Sequence, residues 1–196
     1  MKALAVYCGA SPGNDPVYAT AARELAAVLV SHNLGLVYGG GKVGLMGVIA
    51  DEVLRLGGEA TGVIPRALLE REVGHMGLTR QFVVKDMHER KAMMAELADG
   101  FIAMPGGMGT LEELFEMLTW SQLGIHAKPV GLLNVNGFYD GLIGFVAHQQ
   151  ATGFVRAEHA RLMLADGSAA GLVEQLSAGR LAPQVPVPSS IPGNLT

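Results

Sequence analysis

Two short stretches of this 196-residue chain hold residue types suited to gripping an anion beside a carboxylate. The first is Pro105-Gly106-Gly107-Met108-Gly109-Thr110-Leu111-Glu112-Glu113. Its three glycines let backbone N–H groups turn toward an anion, and a helix starting at Thr110 would add the field of its N-terminus. Thr110 and Glu113 also spell a T-x-x-E capping box, in which the carboxylate merely satisfies the helix start. Glu113 shares a helical face with Met117 and Trp120, whereas Leu111, Leu114, Phe115 and Leu118 form a second apolar stripe expected to face the core. A helix apolar on two sides fits packing between its own sheet and a second subunit.

The second stretch is Asp86-Met87-His88-Glu89-Arg90-Lys91-Ala92-Met93-Met94. Asp86 and Glu89 are placed to cap a helix, and positions 87, 90, 91 and 94 trace the buried stripe of an amphipathic one. Arg90 and Lys91 stand in the middle of that stripe. Burying two cations without an anion is expensive, so a phosphate or carboxylate partner is expected unless both side chains reach out to solvent.

A third glycine cluster, Gly39-Gly40-Gly41-Lys42-Val43-Gly44, matches the G-x-G-x-x-G dinucleotide fingerprint, but its context disagrees. It follows the second strand rather than the first, and Glu59, about 20 residues on, precedes its strand instead of ending it. A Walker loop is excluded because Val43 follows Lys42 where Ser or Thr is needed. What remains is a seat for phosphate or ribose at a helix start, or a plain tight turn.

The elements that must position these residues read as alternating strands and helices. Apolar runs at Ala3–Cys8, Gly35–Tyr38, Thr61–Ile64, Phe82–Val84, Phe101–Met104, Val130–Leu133 and, more weakly, Leu162–Leu164 recur roughly every 20 to 30 residues. They are continuous rather than alternating, which means burial on both faces. Helices over about 16–33, 44–57, 86–98, 110–123, 138–152 and 168–178 supply the cover. The expected fold is a single α/β domain over residues 1–180, a doubly wound, mostly parallel, Rossmann-like sheet whose ligands sit outside the carboxyl ends of its strands. Residues 181–196 are rich in proline and uncharged, and read as an extended or disordered tail.

Composition narrows the function. With 14 basic against 18 acidic residues and a net charge of −4, the chain has no basic stripe for nucleic acid or an anionic membrane. Cys8 is alone and the six histidines lack metal-ligand spacing, so no disulfide and no metal are expected. No apolar run reaches the ~18 residues of a membrane span, and the N-terminus lacks a signal h-region. A cytoplasmic protein is the expectation. Charged residues make up 16% against roughly 25% in an average domain, which suggests a covered subunit face. Glycine, 27 of 196 residues, is about twice as frequent as usual, in a pattern of turns rather than repeats.

Taken together, Met87-His88-Glu89-Arg90-Lys91 and the PGGMGTLEE segment resemble the LONELY GUY (LOG) family of cytokinin riboside 5'-monophosphate phosphoribohydrolases. The stretches Cys8–Ser11, Tyr38–Gly41 and Thr119–Gly124 add to the likeness, which covers about residues 2–178. The resemblance implies hydrolysis of the N-glycosidic bond of an adenosine 5'-monophosphate, best an N6-prenylated one, with no cofactor and no metal. By position it makes Arg90 and Glu113 the catalytic pair. Lys91, Gly106, Gly107, Met108, Gly109, Thr110 and Glu112 would hold the nucleotide, with Thr119 near it, and Ser11, Gly40 and Gly41 are further candidates for phosphate or ribose contacts. It also implies a homodimer. Relatives have been labelled lysine decarboxylases, yet no pyridoxal-phosphate lysine motif is visible. A non-catalytic nucleotide carrier of the same fold, or a nicotinamide-dependent oxidoreductase using the Gly39–Gly44 turn, are the competing readings.

Overall fold

The computed structural model describes residues 1–69 and 74–179; the proline-rich segment 181–196 lies outside them. Seven strands form one sheet: β1 (Ala3–Tyr7), β2 (Gly35–Tyr38), β3 (Ala60–Pro65), β4 (Arg80–Val84), β5 (Phe101–Ala103), β6 (Val130–Leu133) and β7 (Met163–Asp166). Their order is β4-β3-β2-β1-β5-β6-β7, and every neighbouring pair is parallel. The chain builds outward from β1 to β4, returns to the centre with β5, and then builds the other way. The order therefore reverses between β1 and β5, and the carboxyl ends of these two strands flank the crevice where such sheets take ligands.

The continuous apolar runs behave as strands covered on both faces. Leu4 and Val6 of β1 point into a core shared with α1 (Val17–Ser31), α2 (Gly44–Arg55) and α7 (Ala169–Ser177), built on Leu25, Leu29, Ile49, Val53, Leu172 and Leu176. Ala5 and Tyr7 point the other way, into a core with α3 (Met87–Leu97), α4 (Met108–Gln122) and α5 (Asp140–Ala151) through Met94, Leu114, Met117 and Val146. A short helix, α6 (Ala157–Ala160), precedes β7, which runs from Met163 to Asp166 rather than over 162–164. Only the edge strand β4 is largely exposed.

Helix α4 departs from the sequence expectation in two ways. It starts at Met108 with Gly107 as an extended N-cap (φ −93°, ψ −158°), and no side chain caps it. Thr110 thus lies inside the first turn, buried, and the expected capping box with Glu113 does not form. The two apolar stripes are also one arc. Thr110, Leu114 and Met117 are its buried centre, while Phe115, expected in the core, is 37% exposed. At ~100° per residue, Glu113 and Trp120 lie on the flank of that arc opposite Phe115.

Candidate active site

Three loops meet at the carboxyl ends of the central strands. The Gly9 N–H after β1 donates to the Pro105 carbonyl after β5 (3.1 Å), and the Leu45 N–H of α2 donates to the Gly9 carbonyl (3.0 Å). Gly106 must be a glycine: a β-carbon there would stand 2.2 Å from Thr110 Oγ1 and 2.9 Å from the Gly9 amide nitrogen. The buried Thr110 hydroxyl occupies that space and fills the turn from below.

Helix α3 delivers both cations. Asp86 accepts from the His88 and Glu89 N–H groups (both 3.0 Å) at its start, and these bonds hold the Asp86 carboxyl below its usual pKa, the Glu89 N–H foremost. Glu89 in turn accepts from the Lys85 N–H (2.6 Å). Arg90 and Lys91 are 5% and 4% exposed, so the buried-stripe expectation holds for both, and they find different partners. Arg90 Nη2 donates to the Gly39 carbonyl at 3.0 Å, and Nη1 lies 3.7 Å from Met87 Sδ. Lys91 Nζ donates to Glu112 Oε1 and lies 3.1 Å from Glu116 Oε2, both on α4. Burial pulls the Lys91 pKa down, but these two carboxylates outweigh it and raise it.

A cavity of ≈ 270 Å³ opens between these elements. Arg90, Glu112 and Glu113 line it together with Gly107, Gly109 and Thr110 from the start of α4. Six of the residues singled out in the sequence thus converge on one space. Ser11 and Gly106 line a second cavity of ≈ 360 Å³ with Tyr18 and Phe138, joined to the first through Ala10 and Gly107. Lys91, Met108, Thr119, Gly40 and Gly41 line neither. Met108 is 85% exposed, and the Thr119 hydroxyl donates to the Phe115 carbonyl of its own helix (2.7 Å). The Gly40 carbonyl accepts from the His75 N–H (3.0 Å), and the His75 ring is fixed by Asp51 (2.8 Å). Gly40 therefore anchors a neighbouring loop.

Sequence reasoning missed the other wall. Tyr7, Cys8, Met46, Leu68 and Met87 line the first cavity and make it largely apolar opposite the charged residues. The position of Tyr7 and Cys8 at the end of β1 was the available signal, since that end borders the reversal of strand order. Burial pushes the Cys8 thiol up, with the Glu113 charge adding to the effect, so it is held as a neutral thiol. The Tyr7 phenol is raised by burial first and then by Glu113 and Glu116. Among the described residues no cluster of three or more His, Cys, Asp or Glu side chains is arranged for a metal ion, and no helix is long and apolar enough to cross a membrane.

The arrangement suits a reaction that develops positive charge next to a carboxylate. Glu113 offers the anion, Arg90 a cation for a phosphate or sugar oxygen, and the uncapped start of α4 a set of amide donors. At the Gly39–Gly44 turn the Arg90 guanidinium fills the space left by the missing side chain of Gly39.

Known proteins resemble the chain both in sequence and in fold. A family model described as possible lysine decarboxylase matches residues 46–176. The chain is 49% identical over 173 residues to the probable cytokinin riboside 5'-monophosphate phosphoribohydrolase LOGL1 of Oryza sativa subsp. japonica, covering 88% of this chain and 78% of the relative. It is 49% identical over 175 residues to the cytokinin riboside 5'-monophosphate phosphoribohydrolase LOG1 of Arabidopsis thaliana, covering 89% and 82%. Among solved structures, a molybdenum cofactor binding protein from Rippkaea orientalis superposes with a TM-score of 0.68 at 19% identity over 91% of this chain and 97% of that one. The molybdenum cofactor carrier protein of Chlamydomonas reinhardtii does so at 0.67 and 19%, over 91% and 98%. At that identity the two structures share the fold alone.

Proposed function

Since the chain belongs to the LOG family of cytokinin riboside 5'-monophosphate phosphoribohydrolases, we propose that it hydrolyses the N-glycosidic bond of N6-substituted adenosine 5'-monophosphates with Arg90 and Glu113 as the catalytic pair. The products are the free base and ribose 5-phosphate. The observation that carries the assignment of residues is the convergence of Arg90 and Glu113 on one cavity at the uncapped start of α4.

In this reading the 5'-phosphate takes the amide donors of the Gly107–Thr110 turn, where the helix field favours an anion. Glu112 and Glu113 stand in the same turn and oppose it, so a cation is needed in the site, and Arg90 supplies it. Cleavage of the C1'–N9 bond leaves positive charge on the sugar, and the Glu113 carboxylate stabilises that oxocarbenium-like state. A water oxygen then bonds to C1' and gives up a proton toward Glu113. The electron pair of the broken bond leaves with the base, which takes up a proton at a ring nitrogen. The apolar wall of Met46, Leu68 and Met87 offers the base and an apolar substituent a place out of water.

A homodimer is part of the proposal, supported by the apolar surface at Phe115 (37% exposed), Leu123 (66%) and Ile125 (63%) on and just after α4. A cytoplasmic location completes it, supported by a lone, buried cysteine that has no partner for an internal disulfide.

The test is to incubate the protein with AMP and with N6-prenyl AMP and to follow free base and ribose 5-phosphate. Base release, faster from the prenylated nucleotide, supports the reading. Binding of both nucleotides with no cleavage would show a carrier instead, and tight binding of a nicotinamide dinucleotide without AMP hydrolysis would show an oxidoreductase.

A further inference from the structure

Arg90 and Lys91 are consecutive, yet their side chains serve different neighbours. Successive residues of a helix point ~100° apart. Arg90 reaches across to Gly39 at the end of β2 and borders the cavity, whereas Lys91 reaches sideways to α4 and is only 4% exposed. Its ammonium sits between Glu112 and Glu116, one turn apart on the side of α4 that faces α3. Glu113 lies between those two in sequence. Three carboxylates therefore crowd two turns of one helix, and Lys91 compensates two of them.

We propose that Lys91 is a positioning residue rather than a substrate contact: by holding Glu112 and Glu116 it keeps Glu113 ionised and aimed into the cavity. The inference rests on the reading of Glu113 as the working carboxylate. Among the described residues, Tyr7 and Cys8 at the end of β1 feel the charge of Glu113, Arg90 of α3 and Glu112 line the same cavity, and Glu116 follows one turn on along its own helix. Tyr7 and Cys8 are held neutral by burial, and Arg90 shares the cavity with Glu113 whether or not Lys91 is present. Without Lys91 the two released carboxylates repel Glu113, and its protonation moves to higher pH. The same loss frees the side of α4 that carries Glu113.

The experiment is the pH profile of kcat/KM for base release in Lys91→Met, Glu116→Gln and the double variant, with KM measured beside kcat. In Lys91→Met the acid limb moves up by about one pH unit, the size of one lost charge interaction in a partly screened site. KM changes less than about threefold, because no substrate contact has gone. Glu116→Gln alone moves the limb down, and adding it to Lys91→Met brings the limb part of the way back. A lysine that touched the phosphate would instead raise KM roughly tenfold or more, leave the limb in place and gain nothing from Glu116→Gln; that result overturns the inference. Should Lys91→Met fail to fold, the direction of the Glu116→Gln shift decides alone, and an unmoved limb overturns it. Glu113→Gln run in parallel separates the two claims: if it still releases base, the reading of Glu113 itself has failed.

Discussion

The guanidinium of Arg90 donates to the carbonyl oxygen of Gly39 at 3.0 Å, in space that exists only because residue 39 has no side chain. A β-carbon on Gly39 would lie 1.9 Å from Arg90 Nη2 and 3.1 Å from the sulfur of Met46. The glycine turn after β2 therefore builds the site by admitting a cation from α3.

Gly39→Ala is expected to push Arg90 out of place and to cut kcat/KM by on the order of 10²-fold, approaching the loss in Arg90→Ala. Crowding at a buried site also destabilises by ~1–3 kcal/mol. Steady-state kinetics with a thermal melt of both variants checks this. Near-normal activity in Gly39→Ala would show that Arg90 works from another position.

Two glycines of the PGGMG turn separate packing from ligand access. Gly106→Ala must collide with Thr110 and the Gly9 backbone, and lowers the melting temperature. Gly109 lies in the first turn of α4, and a β-carbon there meets nothing within 4 Å. Gly109→Ala should keep or raise stability, by up to ~1 kcal/mol on helix propensity. It should nevertheless raise KM for the nucleotide about tenfold, because the added methyl enters space the ligand needs. Differential scanning fluorimetry and initial rates on the pair would reveal the contrast.

His126 gives a pH dependence of stability. Burial, then the nearby Lys128 charge, lowers its pKa below the usual value, so the fold holds the ring neutral. It packs on Phe101 with ring centroids 5.2 Å apart, and its Nδ1 accepts the Lys128 N–H (3.1 Å). The unfolded chain takes up the proton first as pH falls. The contribution of His126 is thus complete above the ordinary histidine pKa of about 6.5 and is lost as pH drops through the lower folded value. Urea unfolding should show stability declining between about pH 7.5 and pH 5, with a shallower decline in His126→Gln. Equal slopes would remove His126 as the cause.

The sheet was legible because buried parallel strands write themselves as unbroken apolar runs, as Val130–Leu133 does. Arg90, too, was legible, as a cation on an apolar stripe. The start of α4 was not, because the capping-box pattern of Thr110 and Glu113 depends on backbone angles at Gly107 that glycine leaves open. Lys91 was legible as a buried cation that needs an anion, but which anion it meets was not. An adjacent Arg-Lys pair reads as one anion grip, and only the packing of α3 beside α4 shows that its anions are Glu112 and Glu116. Leu68, on the apolar wall, ends a single 3₁₀ turn (Arg66–Leu68) too short to show a periodicity, and nothing local marks it as cavity lining.

The central claim is that Glu113 beside Arg90 cleaves the glycosidic bond of a bound nucleotide. Its most direct test is the rate of free-base release from N6-prenyl AMP by Glu113→Gln, measured with the affinity of the same variant for that nucleotide. The expected result is a loss on the order of 10² to 10⁴ in turnover with binding retained. Base release at the wild-type rate from Glu113→Gln would contradict it.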